Sequence, residues 1–218
     1  MIEHDITTIG YLSLILLVEA AYIIYAVRGD KQFKLRGVVL INMILIGLFA
    51  PKLFSLDGVV SNVANLFYAS IFCAQTIVQR NFGAKEANAN VGTALAVMSL
   101  VFVLTYLLGH VPMVDPQRPI SAAIVTLTTY QVPVIVASYI AFAVSQSVLI
   151  LMLRTIDGWR GIILATLVGQ TVDSAIFFPI AFSDLPMETI LIVGLTGFAT
   201  KVVCAVALAP VYYLANRP

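Results

Sequence analysis

The sequence predicts an all-α membrane protein, a polytopic helical bundle, and two observations carry this prediction. Of its 218 residues, 61% are hydrophobic and only 11% are charged, with a mean hydropathy of +1.00. This composition is far from that of a soluble domain. The apolar residues also form continuous runs, as in membrane-spanning helices, rather than the alternating pattern of barrel strands. We expect one domain over residues 1–218 with the lipid bilayer around it, and the net charge of +1 gives no reason to expect nucleic acid as a partner.

Seven apolar runs are candidate transmembrane helices, since a span needs about 20 mostly apolar residues. The first run could be mistaken for a signal peptide. However, Glu3 and Asp5 precede it in place of basic residues, and no cleavage site of small residues follows it. We therefore count it as a helix, and the predicted spans are 9–27, 38–54, 59–79, 91–108, 132–153, 161–182 and 187–214.

The distribution of Lys and Arg predicts the orientation, because these residues accumulate on the cytoplasmic side. The other side of the predicted bundle has only Lys52 and Arg118, and it carries most of the acidic residues. The alternation holds through every loop and predicts an external N-terminus and a cytoplasmic C-terminus (N-out/C-in). The residues on the predicted cytoplasmic side are Arg28, Lys31, Lys34, Arg36, Arg80, Lys85, Arg154, Arg160 and Arg217.

One connection is much longer than the others, from residue 109 to residue 131. It contains three prolines and then a half-apolar piece, 120–127, that is too short to cross the membrane. The piece is either an interfacial or re-entrant segment or an ordered outer lid, and we favour the lid.

Polar and aromatic residues recur on two predicted helices at spacings of three and four, which places them along one helix face. The same amides and hydroxyls could instead simply join helices through hydrogen bonds. The third helix carries Asn65, Tyr68, Phe72, Gln75 and Gln79, and the fifth carries Ser138, Phe142, Ser145 and Gln146.

The sixth helix is the most informative segment, because Gln170, Asp173 and Phe177 share one face of it. A carboxylate there either pairs structurally with a base, for which Lys201 on the seventh helix is the candidate, or takes part in binding. Glu19 on the first helix has no evident partner.

Charged residues at membrane depth cost at least ~2.5 kcal/mol each on the insertion scale, so they normally face a bundle interior or an aqueous cavity. We therefore expect a membrane transporter and not an enzyme. His4 and His110 lie at the predicted outer surface, so the spans offer no nucleophile–base pair. The chain also lacks the GxxxxGK[ST] loop of ATP-hydrolysing proteins. The two cysteines, Cys73 and Cys204, lie within apolar runs, and neither a metal site nor a cofactor is predicted.

Four segments resemble the motifs of the queuosine-precursor transporters, also called the vitamin-uptake transporter (YhhQ-type) family. The similarity extends over residues 72–210, and the sixth-helix motif is the most specific. The segments are FCA at 72–74 with RNFGAKEA at 80–87, Ala137-Ser138 with Gln146, GQTVDS at 169–174 with FFPIAF at 177–182, and Lys201-Val202-Val203 with Pro210. The chain departs from the family pattern at Gln75-Thr76, Leu149 and Gly197, where the family often has an acidic residue.

The resemblance implies a six-helix transporter core, to which the first helix is an addition. It also implies import of a small planar nucleobase-like metabolite, a deazaguanine base that is a queuosine precursor, across the cytoplasmic (inner) membrane through a polar central cavity. Asp173 could accept hydrogen bonds from a guanine-like edge, the glutamines could donate to its carbonyl, and the aromatic rings could stack on it. Arg80 and Lys201 could gate the path or balance charge. The residues expected to bind substrate are Asn65, Tyr68, Phe72, Gln75, Ser138, Phe142, Gln146, Gln170, Asp173 and Phe177.

Two other classes of protein fit part of the pattern. A substrate-binding subunit of an energy-coupling-factor vitamin transporter has a similar size, and such a subunit would need a partner ATPase. A retinal-binding seven-helix photoreceptor would also have a lysine in its last helix. Its pocket is usually rich in tryptophan, however, and Trp159 is the single tryptophan of this chain and lies in a predicted loop. Beyond the bilayer and a purine-like substrate, the sequence leaves open a second copy of the chain or an energy-coupling protein as partner.

Overall fold

The computed structural model describes residues 2–28, 31–50, 52–56, 59–109, 111, 123, 132–156 and 158–215. Among these, six helical stretches are long and apolar enough to cross a membrane, with Ala64–Leu108 counted as one. The elements in chain order are α1 (Ile2–Ala26), α2 (Lys31–Phe49), β1 (Leu53–Leu56), β2 (Val59–Asn62), α3 and α4, which together occupy Ala64–Gly109, and then α5 (Val132–Thr155), α6 (Gly158–Ala181) and α7 (Met187–Ala215).

The 46-residue stretch Ala64–Gly109 is two helices, because Gly83 interrupts it with φ 86° and ψ 175°. This backbone conformation is open essentially to glycine alone. We call the segments 64–82 and 84–109 α3 and α4. The side-chain amide of Gln75 donates to the Ala87 carbonyl at 2.7 Å, and the Asn90 amide donates to the Gln75 oxygen at 2.7 Å. In a straight helix residues 75 and 90 would lie about 22 Å apart, so the chain reverses direction at Gly83 and forms a helical hairpin.

A short antiparallel β-hairpin links α2 to α3, with Leu53 paired to Asn62 and Leu56 paired to Val59. The sequence prediction missed these strands and assigned residues 53–54 and 59–62 to helices. The sequence does contain a local signal for this hairpin, because an Asp-Gly pair between apolar and β-branched residues favours a tight turn. A count of apolar residues does not detect such a pair, so the strands were assigned to helices. Asn62 ends the hairpin, and its side-chain oxygen accepts a hydrogen bond from the backbone N–H of Ala64 at 2.6 Å, where α3 begins.

Helical segments of the structure overlap the predicted spans, with shifted ends. α2 begins seven residues before the predicted span 38–54 and ends at Phe49, while α4 begins at residue 84 and not at residue 91. The last three helices start within three residues of their predicted starts. The predicted lid at 120–127 lies outside the described residues except for residue 123, and of the whole connection 109–131 the structure describes residues 109, 111 and 123.

The centre of the bundle is formed by α3, α5, α6 and α7. The largest fully buried side chains include Tyr68, Phe72, Phe142, Phe178 and Lys201, which come from these four helices. Large apolar side chains such as Leu17 on α1 and Leu195 on α7 are about two-thirds exposed instead. Charged groups such as Lys201 inside the bundle and large aliphatic groups on its surface are expected where lipid surrounds the protein.

Candidate functional site

A buried ion pair joins α6 to α7. The Lys201 Nζ donates to Asp173 Oδ2 at 2.6 Å and to the Ser174 hydroxyl at 3.1 Å. The side chains of Lys201 and Asp173 are 1% and 0% exposed. Lys201 therefore has the partner that the sequence suggested for it, and the two charges neutralise each other inside the bundle.

Aromatic rings surround the lysine end of this pair. The Lys201 ammonium lies 4.7 Å from the centre of the Tyr68 ring, 5.5 Å from that of Phe178 and 6.0 Å from that of Phe177. Such contacts stabilise a desolvated ammonium through the negative face of the ring. Phe177 and Phe178 also contact each other edge to face, with ring centres 5.2 Å apart.

The sequence-based site set omitted two of these groups, Phe178 and Ser174. Ser174 directly follows Asp173, and Phe178 directly follows Phe177, which were both predicted site residues. Spacings of three and four select residues on only one face of a helix, so they pass over the next residue along the chain. The adjacent pair Phe177-Phe178 could have indicated that Phe178 belongs to the site, because two consecutive aromatic residues cover more than one face of the helix.

Several polar groups around the ion pair have no hydrogen-bond partner among the described residues, although they are fully buried. Such groups cost roughly 1–3 kcal/mol each when left unsatisfied, so their presence calls for an explanation. The groups without a partner are both amide atoms of Gln146 and both amide atoms of Gln170. The Tyr68 hydroxyl differs from the amides in this respect, because the Asp173 carboxylate and the Ser138 hydroxyl are close enough to interact with it. We call these amides and hydroxyls, with the Asp173 carboxylate and Lys201, the polar cluster.

A close contact fixes the positions of α3, α5 and α6 relative to one another along their axes. A β-carbon placed on Gly169 would lie 2.6 Å from Cε1 of Phe72 and 3.4 Å from the Ser145 carbonyl oxygen. The next residues along α5 and α6 are Gln146 and Gln170, both 0% exposed. Gln170 lies one helical turn before Asp173 and shares its face. The two glutamines are therefore near the level of Phe72, about one turn from the ion pair.

The structure places three other predicted site residues in contacts of their own. Gln75 uses its amide to hold the α3–α4 hairpin, as described above. Arg80 donates from Nη2 to the Ile156 carbonyl at 2.8 Å, which ties the end of α3 to the end of α5. Asn65 donates to the Ser61 hydroxyl at 3.3 Å, near α7. Phe142 is fully buried on α5.

A cavity of about 540 Å³ lies beside the polar cluster, between α3, α6 and α7. Its walls are almost entirely apolar, and of the predicted site residues only Phe72 lines it. The sequence predicted a single polar central cavity. In the part of the chain that the structure describes, the polar cluster is closed and the cavity is apolar. Phe72, which packs against Gly169 next to Gln170, lines the cavity. The lining residues are Ala69, Phe72, Cys73, Thr76, Trp159, Ile162, Ile163, Thr166, Leu167, Val202, Ala205, Val206, Leu208, Ala209 and Tyr212.

A second buried acid, Glu19, is separate from this site. It accepts a hydrogen bond from the Asn42 amide at 3.0 Å and lies next to Ser70. Ser70 and Tyr68 are two positions apart on α3, which puts them on roughly opposite faces of the helix. Glu19 thus has the partner that the sequence did not reveal, and it joins α1 to α2 and α3 on the far side of α3 from the ion pair.

Comparison with known proteins places the chain in a family. No curated protein matches it, and no solved structure matches it. A family model described as "Putative vitamin uptake transporter" matches residues 62–215, which include all of α3 to α7 and the whole polar cluster. Because this match covers well over half of the chain, the protein belongs to the vitamin uptake transporter family of multi-pass membrane proteins.

Proposed function

We propose that this protein imports a planar deazaguanine base, a queuosine precursor, across the cytoplasmic membrane, and that the base binds at the polar cluster. The observation that carries this proposal is the set of buried polar groups around the Asp173–Lys201 pair, in which the amides of Gln146 and Gln170 have no hydrogen-bond partner among the described residues. Proteins rarely keep such groups unless a ligand or water uses them. Family membership supports transport, and the resemblance of the sequence motifs supports the class of substrate.

The cluster can form hydrogen bonds with one edge of such a base and can stack aromatic rings on its two faces. Asp173 Oδ1 can accept from a ring N–H or an exocyclic amino group, and the amides of Gln146 and Gln170 can donate to a carbonyl and accept from an N–H. Tyr68 and Phe177 already flank Lys201, and aromatic rings of this kind stack on nucleobases. Each type of group on a guanine-like edge therefore has a matching partner.

We also propose seven membrane crossings with the N-terminus outside. A straight helix of 46 residues would be about 69 Å long, more than twice the hydrocarbon core. Folded at Gly83, it supplies two segments of about 28 and 39 Å, each sufficient for one crossing. The Lys and Arg distribution supports this arrangement, because it places Arg80 and Lys85 at the hairpin turn, on the cytoplasmic side.

Uptake of a radiolabelled deazaguanine base into liposomes that contain only the purified protein tests the proposal. We expect uptake by the wild-type protein and at least a tenfold loss in Gln170→Leu, because loss of two hydrogen bonds to a buried ligand costs about 1.5 kcal/mol or more. Thr171→Val is the matched control, since Thr171 is exposed on the next position of α6 and bonds only to the Leu167 carbonyl of its own helix.

Two results would count against the proposal. Uptake that is unchanged in both Gln170→Leu and Asp173→Asn would remove the polar cluster from the transport path. Uptake that appears only after a partner ATPase is added would favour the energy-coupling-factor subunit over a carrier that works alone.

A further inference from the structure

We propose that Glu19 is a proton-binding site and that the proton it carries enters the cell together with the substrate. This inference rests on the proposed function and adds to it the source of energy. Glu19 lies within α1 and is only 6% exposed. Glu19 and its hydrogen-bond donor Asn42 both precede residues 62–215, which the family model matches. The site is therefore built mainly from helices outside the matched segment.

The groups around Glu19 offer hydrogen bonds but no positive charge. The Asn42 amide donates to Glu19 Oε2 at 3.0 Å, and the Ser70 hydroxyl is close enough to interact with the carboxyl group. Asn42 and Ser70 are both 0% exposed. If Glu19 were ionised, its charge would lie inside the bundle without a counter-ion among the residues that the structure describes.

The other titratable groups near Glu19 do not supply the missing charge. The elements that pack most closely against α1 are α2, α3, α7 and β1, and β1 has no titratable residue. The basic residues of α2 lie at its start, and the last of them, Arg36, is about 9 Å along the axis from Asn42. The described basic side chains of α3 and α7 bond elsewhere, Arg80 to the Ile156 carbonyl and Lys201 to Asp173. The phenol and thiol groups on these helices and on α1 carry no positive charge, and they are Tyr22, Tyr68, Cys73, Cys204 and Tyr212.

A protonated acid suits this environment better than a metal ion does. The carbonyl oxygen of the neutral Glu19 can accept from the Asn42 amide, and its O–H can donate to the Ser70 hydroxyl. A buried carboxyl group that keeps its proton also avoids the cost of an uncompensated charge. Hard metal cations take oxygen ligands, whereas Asn42 turns its N–H toward the carboxyl group.

α3 connects Glu19 to the proposed substrate site. Ser70 lies on this helix between Tyr68, whose ring faces the Lys201 ammonium, and Phe72, which packs against α6. Release of the proton requires water to reach Glu19, and α1 or α2 must then separate from α3. Because the polar cluster uses the opposite face of α3, such a movement also changes the substrate site. The proton and the base therefore leave toward the cytoplasm in the same step.

Infrared spectra of the purified protein test the protonation without any substrate. The C=O stretch of a protonated carboxyl group is separate from the bands of carboxylates and amides. At pH 7 we expect such a band in the wild-type protein and its loss in Glu19→Gln. Glu188→Gln, which changes an exposed acid in the first turn of α7, is the matched control and should keep the band. Equal spectra of the wild-type protein and Glu19→Gln overturn the inference.

Uptake under a pH difference tests the coupling. With the outside of the liposomes more acidic by one pH unit, the wild-type protein should accumulate the deazaguanine base up to about tenfold, the limit for one proton per base. An internal pH dye should report proton entry with the base. Glu19→Gln resembles the protonated form, so it should exchange labelled for unlabelled base but not accumulate it, whereas Glu188→Gln should behave as the wild type.

The outcomes separate this inference from the proposed function. Wild-type uptake that equilibrates the base but ignores the pH difference overturns the inference alone. Absence of both uptake and binding of the base overturns the proposed function and the coupling with it. If Glu19→Gln does not fold, the wild-type protein decides the coupling, because accumulation should disappear when a protonophore removes the pH difference. Accumulation that persists with the protonophore overturns the inference.

Discussion

The ring of Phe72 on α3 packs directly against the backbone of Gly169 on α6, with no room for a side chain at position 169. A β-carbon there would lie 2.6 Å from Cε1 of Phe72, and Phe72 itself is only 1% exposed. The contact brings the helices that carry the polar cluster to their observed separation. It also fixes a ring that lines the apolar cavity.

Gly169→Ala should therefore destabilise the protein and impair uptake. Overpacking of a tight contact typically costs about 1–3 kcal/mol, and here it would also move Phe72 relative to the cluster. Gly92→Ala is the matched control, because nothing lies within 4 Å of its added β-carbon and it is exposed within α4. Thermal unfolding in detergent and liposome uptake give the two measurements, and equal behaviour of the two variants would contradict the tight contact.

Asp173→Asn should cost more stability than the double variant in which Lys201→Met is added. The single change leaves the buried ammonium without a counter-charge, which typically costs about 3–5 kcal/mol, whereas removal of both charges avoids that penalty. We expect both variants to lose uptake, since each lacks the carboxylate. Unfolding temperatures of the single and double variants check this order, and a double variant less stable than Asp173→Asn would contradict it.

The Gln75–Asn90 hydrogen bond should stabilise the α3–α4 hairpin and leave ligand selectivity unchanged. Gln75→Leu and Asn90→Ala should each reduce stability, and a double-mutant cycle should give a coupling energy of roughly 0.5–1.5 kcal/mol, typical of one hydrogen bond. Variants that fold should keep the relative affinities of the wild type for different bases. A changed order of affinities would place Gln75 in the binding site, as the sequence analysis predicted.

Cysteine labelling should locate the helix connections on opposite sides of the membrane. In a background with Cys73→Ala and Cys204→Ala, Lys85→Cys beside the Gly83 turn should be protected from a membrane-impermeant maleimide in intact cells. Asp184→Cys, between α6 and α7, should react. Both positions are exposed, so a difference in labelling reports sidedness and not burial. Reaction of Lys85→Cys in intact cells would reject the proposed orientation.

Glu19→Gln should preserve stability better than Glu19→Leu. A glutamine oxygen can still accept the hydrogen bond from Asn42, whereas leucine removes a buried partner at a cost of about 1–3 kcal/mol. Leu17→Ala on the exposed face of α1 is a control for changes that only affect lipid contact. If Glu19→Gln abolishes uptake while stability is kept, the acidic group itself has a role in transport.

The membrane bundle could be predicted from the residues alone, and so could the positions of several polar residues that the structure buries. Continuous apolar runs and the cost of placing charge in lipid act over single segments, so they can be recognised in one dimension. The same reasoning identified Gln146, Gln170, Asp173 and Lys201, all of which are buried in the bundle. The local hairpin signal at Asp57-Gly58 was also present, but a count of apolar residues passes over it.

Which polar residues lie together depends on the packing of the helices and could not be predicted from the sequence. Helical periodicity places Gln75 on the same stripe as Tyr68, yet the Gly83 turn brings Asn90 against Gln75 and takes it out of the polar cluster. Likewise, Phe178 joins the aromatic surroundings of Lys201 although it lies off the predicted face. The helical repeat of the sequence determines in which direction each side chain points around the axis of its own helix. Contacts between helices depend in addition on how each helix is rotated, kinked and packed against its neighbours.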